Sequence, residues 1–533
     1  MERFDYIVVG GGSSGCIVAG KLSDDPSVRV LLLECGDRGE DNPETLRADG
    51  YKDAFVNDRV MWERFSTPQP GCGGRRIFMG SGRGMGGGGA VNAMVYTRGD
   101  ALDYDAWGEG WAWRDVAPEF DALEAELKVN RRPPTDFTDH CVRAAELAGM
   151  RFLPDLNAGD LHDVLGYEWM TYDGEERRSA YTAFVRPRQG RANLEVRTGA
   201  RVRRVVIEGG TATGVVYAQN GHQVHVQADR EVVLSAGAIE TPKLLMLSGI
   251  GPAHHLRRHG LPVLVDATEV GENFQDHPNV QLFFHGRRAV DAQHPQLYGF
   301  GRVGGPSPHL ETDTHPDTCF VFYPARSSFR EGLMRMVPTL LLSPSAYFAK
   351  EKLAPRLMAK GIERIFDRLA MQRFIARVWG IVIILGKPKS RGTIRLSSAR
   401  PGDEALVDPA YFAHPQDLET IRAGVSHARA IAAQRPLHTW GNRELVPGLM
   451  NGDAFIRKNV MTTYHYAGSC RMGDDQASVV DRRLRVRGVA GLRVADAAVI
   501  PVAPVAALNA PSMLIGWRAA AMIAADHRAK ASE

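Results

Sequence analysis

Three glycines near the start of the chain have the spacing of a phosphate site. Gly10, Gly12 and Gly15 stand in G-x-G-x-x-G order directly after the apolar run Ile7-Val8-Val9. A strand that turns on glycines into a helix N-terminus offers unpaired backbone N–H groups to an anion. The first glycine allows the tight turn, the second lets backbone approach a pyrophosphate, and the third lets helix and strand pack closely. Ser13 to Leu22 reads as that helix, with Ser13 and Ser14 in its first turn. Residues 28–34 (VRVLLLE) read as a second buried strand ending in Glu34, 19 residues after Gly15. A carboxylate there can accept hydrogen bonds from a ribose.

The same letters fit a second chemistry. Gly11-Gly12-Ser13-Ser14-Gly15 matches G-x-S-x-G, the nucleophile elbow of α/β hydrolases. That elbow needs earlier strands to flank it and an earlier loop to supply the oxyanion hole. Only a handful of residues precede this strand, which argues against the elbow. Cys16, Cys35, Cys72, Cys141, Cys319 and Cys470 are scattered with no C-x-x-C, and read as free, mostly buried thiols of a reducing compartment. No H-E-x-x-H or Cys/His cluster supports a metal. His254, His255 and His259 share a helix without further ligands and read as a surface feature.

The 533 residues suffice for a large core and two or more domains. A net charge of +3 is too small to imply nucleic acid as a partner. The motif begins at Ile7, so no cleaved signal peptide is expected. No run of 18 apolar residues occurs, so a cytoplasmic chain without a spanning helix is expected. The apolar run Val378 to Leu385 suits a buried strand.

Several elements must position such a site. Residues 37–60 read as a polar, irregular excursion, and Trp62-Glu63-Arg64-Phe65 as a strand leaving into a loop. In Gly80 to Gly99, four consecutive glycines, Gly86 to Gly89, strip Cβ atoms from the backbone just before Ala90, Val91, Met94, Val95 and Tyr96, which want burial. This reads as a ligand-hugging loop. Residues 103–131, with Trp107, Trp111 and Trp113, read as surface helices packed by aromatics. Strands are expected over 194–207, 213–218 and 223–234, the last turning on Ala236-Gly237-Ala238 into a helix, as an additional strand of the nucleotide-binding sheet. Residues 280–460 alternate short strands with proline-rich loops. Within them, Arg356, Lys360, Arg364 and Arg368 recur every four residues beside Leu353, Leu357, Ile362, Ile365, Phe366 and Leu369. Residues 347–377 thus read as a basic amphipathic helix, with eight Lys/Arg against three acids. Two readings stand: a solvated face over a packed one, or contact with lipid, as peripheral membrane contact or as a lipid substrate. Leu492 to Asp496 reads as a buried strand ending in an acid, and 511–526 as a helix with Pro511 at its first position.

Taken in order, these segments resemble the glucose–methanol–choline family of FAD-dependent oxidoreductases over nearly the whole chain. Gly82 through Arg83, Gly86-Gly87 and Asn92 to Gly99 is similar to the family's first signature, and Gly237-Ala238-x-x-Thr241-Pro242 to Gly251 to its second. Tyr464-His465 with Gly468 to Gly473 resembles the catalytic-histidine segment. Arg493 to Ala497 and Asn509-Ala510-Pro511 resemble the C-terminal flavin and catalytic segments. The resemblance implies a mixed α/β (α+β) fold. A Rossmann-like FAD-binding domain would comprise 1–150, 194–278 and 457–533. A second domain of antiparallel sheet and helices, 151–193 and 279–456, would lie over the flavin.

It further implies FAD held by Gly10, Gly12, Ser13, Ser14, Gly15, Glu34, Trp62, Arg83, Gly86, Gly87, Asn92, Ala93, Met94, Val95, Val202, Ala236, Gly237, Asp496, Ala497, Asn509 and Pro511, with no metal. His465 would be the base of an alcohol oxidation and Asn509 would hydrogen-bond the substrate oxygen. Oxygen or a quinone would be the electron acceptor. Departures are Gly88 and Gly89 where serine is usual, Tyr466-Ala467 after the histidine, and the apolar run Val505 to Leu508. Val91 stands where a subset carries a flavin-tethering histidine, so the FAD is expected to be non-covalent. The apolar segments 333–342 and 353–369 favour a primary, aromatic or aliphatic alcohol over a sugar. Other uses of the same scaffold stay open: a hydroxynitrile lyase, a light-driven fatty-acid decarboxylase, or a non-catalytic flavoprotein binding lipid or a partner through 347–377.

Overall fold

The computed structural model describes residues 1–304, 314–447 and 452–532, with side chains to residue 529. Its first sheet is built from β1 (Glu2–Val9), β2 (Val30–Leu33), β3 (Leu194–Arg197), β4 (Arg201–Glu208), β5 (Thr211–Gln219), β6 (His222–Leu234) and β7 (Leu492–Val494). The order is β3-β2-β1-β6-β5-β4, with β7 also on β6. Strands β3, β2, β1, β6 and β7 pair in parallel, whereas β4, β5 and β6 form an antiparallel meander. One edge of β6 therefore carries β5 along its first half and β7 along its last three residues.

The register sets the site. Val9 lies beside both Leu33 and Leu234, and Leu234 lies beside Val494. Four parallel strands thus end on one line, and Gly10, Glu34, Ser235 and Ala495 leave the sheet together. Ligands of open α/β sheets bind outside this carboxyl edge. The strands are buried on both faces, which is why they read as unbroken apolar runs. α1 (Ser13–Leu22) and α2 (Gly237–Leu247) begin at this line, and α5 (Asn509–Ser532) packs across α1. Glycines allow the close approach: a Cβ on Gly15 would fall 1.9 Å from Gly10 O, and one on Gly516 would fall 2.5 Å from Ser14 O.

A second, eight-stranded sheet lies beyond that line. Along its main path it runs Arg443–Val446, Pro278–His285, Val378–Leu385, Thr318–Pro324, Leu297–Gly301, Val164–Tyr167, Arg151–Phe152, with Met461–Thr462 also pairing Pro278–His285. All pairs are antiparallel except the last on the main path. Side chains alternate across the sheet. Cys319, Val321 and Tyr323 border a cavity, while Phe320 turns the other way, 5.1 Å from the His427 ring on the helix Pro415–Ala432. The mixed α/β fold is as expected.

Trp107 and Trp111 pack the helices of 103–131 from beneath, both buried, with their indole N–H groups satisfied by the carbonyls of Val502 and Arg482 at 2.9 and 3.0 Å. Two local expectations change. Residues 37–60 contain a short helix, Tyr51–Val56. Residues 347–377 are not one helix. The pieces are Pro344–Phe348, α4 (Leu353–Phe366) and Leu369–Ile375. Lys350, Glu351 and Lys352 break the run with φ of +47°, +52° and +63°, left-handed backbone that L-residues adopt at a cost. Ahead of them, α3 (Phe329–Leu341) runs back along α4. Among the described residues no helix is long and apolar enough to cross a membrane.

Two alanine substitutions should separate packing from propensity. Gly15→Ala is expected to destabilise by about 1–3 kcal/mol, since its methyl has nowhere to go. Gly361→Ala in α4 meets nothing within 4 Å and should be neutral or stabilising by about 0.5–1 kcal/mol. Thermal unfolding midpoints check both.

Candidate active site

At the carboxyl edge of the first sheet the backbone itself makes a cradle. Gly10 has φ +106°, and a Cβ there would meet Ser235 O at 2.4 Å. No side chain caps the N-terminus of α1. Gly10, Gly12, Ser13 and Ser14 border a cavity of about 850 Å³. Uncapped N–H groups at the positive end of a helix suit a pyrophosphate.

Glu34 joins this loop to the second glycine loop. Its Oε2 accepts from Gly11 N–H at 2.8 Å, and its Oε1 from Gly36 and Gly84 N–H at 2.7 and 3.1 Å. The carboxylate borders the cavity and retains lone pairs on Oε2 for a ribose hydroxyl. The loops also meet directly, Gly86 N–H donating to Gly11 O at 2.7 Å. Left-handed φ values at Gly84, Gly86 and Gly87 bring the second loop so near that a Cβ on Gly87 would sit 2.8 Å from Gly12 Cα. Behind it, the buried Arg177 donates to Gly89 O at 3.1 Å, Asn92 Oδ1 at 2.8 Å and Asn92 O at 2.7 Å. Burial lowers this guanidinium to about 9.

The other strand ends complete the cradle. Asp496, after β7, accepts from Gly237 N–H at 2.9 Å, Thr241 Oγ1 at 2.6 Å and Ala498 N–H at 2.7 Å. Its burial raises the carboxyl above the usual range. Asn509, at the start of α5, accepts from Ser13 Oγ at 3.1 Å, while its Nδ2 is buried without a hydrogen-bond partner. Ser13 thus serves an amide, which removes the elbow reading's partner. A Cβ on Gly89 would press on that pair, 2.9 Å from Ser13 Oγ and 3.2 Å from Asn509 Oδ1, whereas one on Gly88 would meet nothing within 4 Å. The chain leading to Asn509 is pinned by buried Asp103, which accepts from Lys387 at 2.7 Å and from Val505 N–H at 2.9 Å, and lies 3.0 Å from His315 Nε2.

His465 stands on the cavity wall with Asn509. Asp276 Oδ1 accepts its backbone N–H at 3.0 Å, and the hydroxyl of Tyr411 donates to Asp276 Oδ2. The rings of His465 and His277 cross at 87°, with their Nδ1 atoms 3.0 Å apart. Enclosure pushes the His465 imidazole down to about 4, and desolvation followed by the neighbouring His465 pushes His277 down too. Burial raises Asp276 to about 6.

Of the residues the resemblance implied, Gly10, Gly12, Ser13, Ser14, Glu34, Trp62, Gly87, Asn92, Ala93, Val95, Val202, Ala236, Gly237, His465, Asp496, Ala497 and Asn509 border this one cavity. Gly15, Arg83, Gly86, Met94 and Pro511 stand behind its wall. Gly15 packs α1 on Gly10, Gly86 bonds Gly11, and Arg83 stacks on Trp62 at 5.0 Å. Met94 is fully buried, its carbonyl accepting from Thr171 N–H, and Pro511 lies inside the first turn of α5. Arg177, Asp276, His277 and Asp103 carry no mark in the sequence reading. No group of His, Cys, Asp or Glu among the described residues could hold a metal. An open glycine loop, an uncapped helix start and an amide with an unpartnered Nδ2, all bordering one cavity of about 850 Å³, fit a dinucleotide.

Models of the family described as GMC oxidoreductase match residues 4–279 and 388–516. The chain is 34% identical to an alcohol dehydrogenase (acceptor) of Pseudomonas putida, over 98% of this chain and 95% of that one. It is 33% identical to the mitochondrial choline dehydrogenase of Homo sapiens, over 98% and 90%. Among solved structures it is similar to pyridoxine 4-oxidase from Mesorbium loti, with a TM-score of 0.82, 27% identity and coverage of 97% and 98%.

Glu34→Gln sets an amide against three backbone N–H donors. It is expected to destabilise by about 1–3 kcal/mol and to release bound dinucleotide on gel filtration. Absorbance of the eluted protein and its thermal midpoint check this.

Proposed function

Because the chain belongs to the GMC oxidoreductase family, we propose that it oxidises a primary aromatic or aliphatic alcohol to the aldehyde, with His465 as the base. It is an FAD-dependent oxidoreductase of alcohols. FAD, when bound, supplies a hydride acceptor and thereby the two-electron chemistry. One observation carries the assignment of the residues: His465 and Asn509 border the cavity that begins at the two glycine loops.

A base for a hydroxyl proton must be neutral at working pH. Enclosure keeps His465 so. In this reading His465 Nδ1–H donates to His277 Nδ1, which leaves Nε2 to take the proton. Asp276 holds the backbone of His465, and Asn509 Nδ2, lacking a protein acceptor, donates to the substrate oxygen. The wall beyond is apolar, with Phe283, Tyr298, Phe300, Val321 and Ile384 from the second sheet and Val505 to Leu508 opposite, which suits an aromatic or aliphatic substituent. Val91 borders the cavity and offers no tether, so the FAD is non-covalent at that position. Electrons leave to oxygen or a quinone. Residues 1–150, 194–278 and 457–533 form the cofactor domain in this reading, and 151–193 with 279–456 the substrate domain; within the latter, 305–313 and 448–451 lie outside the described residues.

His465→Ala is expected to slow anaerobic flavin reduction by an alcohol about 10²–10⁴-fold while flavin absorbance is retained. Undiminished reduction would sink the assignment. The acid limb of kcat/KM should fall with an apparent pKa near 4, because activity is lost only as His465 protonates. A limb near the free-histidine value of about 6.5 would show that enclosure does not hold it neutral.

A further inference from the structure

Between the strands Thr318–Pro324 and Val378–Leu385 the chain builds a surface that the chemistry above leaves unused. α3 borders the cavity with Phe329, Leu333, Met336 and Leu340, one face at helical spacing. α4 packs on α3, with Phe366 6.3 Å from Phe329. If the apolar stripe of this segment were a packed face, its members would be covered. Leu353, Leu357, Ile365 and Leu369 instead stay 52%, 60%, 44% and 60% exposed. Of the 13 exposed large hydrophobics among the described residues, eight fall between 340 and 374, so the exposure is a patch and not scatter.

Charge surrounds the patch. Residues 347–377 carry +5, against +3 for the entire chain, so the remainder is −2. Lys350, Arg356, Lys360, Arg364, Arg368 and Arg373 are exposed, and no ion pair joins any of them to a carboxylate among the described residues. The patch is held firmly. Buried Glu63 accepts from Arg335 of α3, from Lys352 at the start of α4, and from the Tyr347 hydroxyl at 2.7 Å. Asp58 accepts from Lys352 at 2.8 Å.

We infer that this face docks on an anionic lipid bilayer. The exposed leucines enter the acyl boundary and the unpaired cations meet headgroup phosphates. Leu340 both borders the cavity and stands half exposed, so the cavity mouth opens at the docked face. The inference does not rest on the role assigned to His465.

Co-sedimentation of the full-length flavoprotein with vesicles tests it. Vesicles containing phosphatidylglycerol should pellet the protein, phosphatidylcholine vesicles should pellet far less, and added salt should release it. Arg356→Glu/Lys360→Glu/Arg364→Glu should weaken partition at least about fivefold for each cation lost. Leu353→Ser/Leu357→Ser should abolish pelleting with flavin absorbance and melting unchanged. Three results would overturn the inference: no pelleting with either vesicle, pelleting untouched by both variants, or a concentration-dependent dimer that Leu353→Ser/Leu357→Ser dissolves while vesicles bind nothing.

Discussion

The hydrogen bonds of one buried carboxylate, Glu34, hold the floor of the site together. A carboxylate taken out of water requires donors, and here backbone N–H groups of two separate glycine loops provide them. Because those groups belong to Gly11 and Gly84, Glu34 fixes the gap between the loops as well as its own position. The glycines let the two backbones approach, Gly86 N–H donating to Gly11 O at 2.7 Å, and the Glu34 carboxylate sets their separation. The register of β1, β2, β6 and β7 delivers Gly10, Glu34, Ser235 and Ala495 to the same height, with Asp496 one residue beyond.

Much of this first layer was legible. The apolar runs at Ile7 to Val9 and Val30 to Leu33 are continuous because parallel strands are covered on both faces. The start of α1 follows from its glycines. Glu34 was readable as an acid near a ribose, but its function as a bridge was not, since nothing in the letters links it to Gly84. Arg177 sits in the run Glu175-Glu176-Arg177-Arg178, which has the composition of a solvated turn, and two of its three partners are backbone carbonyls that any sequence possesses. Asp103 escapes for another reason: its partners His315 and Lys387 lie 212 and 284 residues away. The break in 347–377 escapes too, because three successive left-handed residues there are Lys, Glu and Lys, with no glycine to announce them.

The cavity owes its two-sided character to meeting an edge on one side and a face on the other. The edge of the first sheet presents loops, hence N–H groups and short polar side chains. The face of the second sheet presents every other residue of several strands, hence Phe283, Tyr298, Phe300, Val321 and Ile384. His465 and Asn509 stand where the two surfaces converge. A histidine in that position is desolvated on its sheet side while its backbone is tied to Asp276, so its protonation and its orientation are governed by different neighbours.

The packing of α1 on α5 carries a consequence for biosynthesis. Ser14 Oγ donates to Ser512 O at 2.7 Å, and Gly516 touches the backbone of Ser14, so the first helix made is closed by the last. β7 likewise reaches β6 only after nearly 500 residues have been translated. A ribosome must therefore release almost the entire polypeptide before the cradle has its final wall. Until then α1 and β6 each wait with an apolar edge uncovered. Such long-range closure is slow and leaves sticky surface in transit. Cofactor capture is then a late event in the life of the chain, and a truncated C-terminus would leave a nascent protein that holds neither the dinucleotide nor itself.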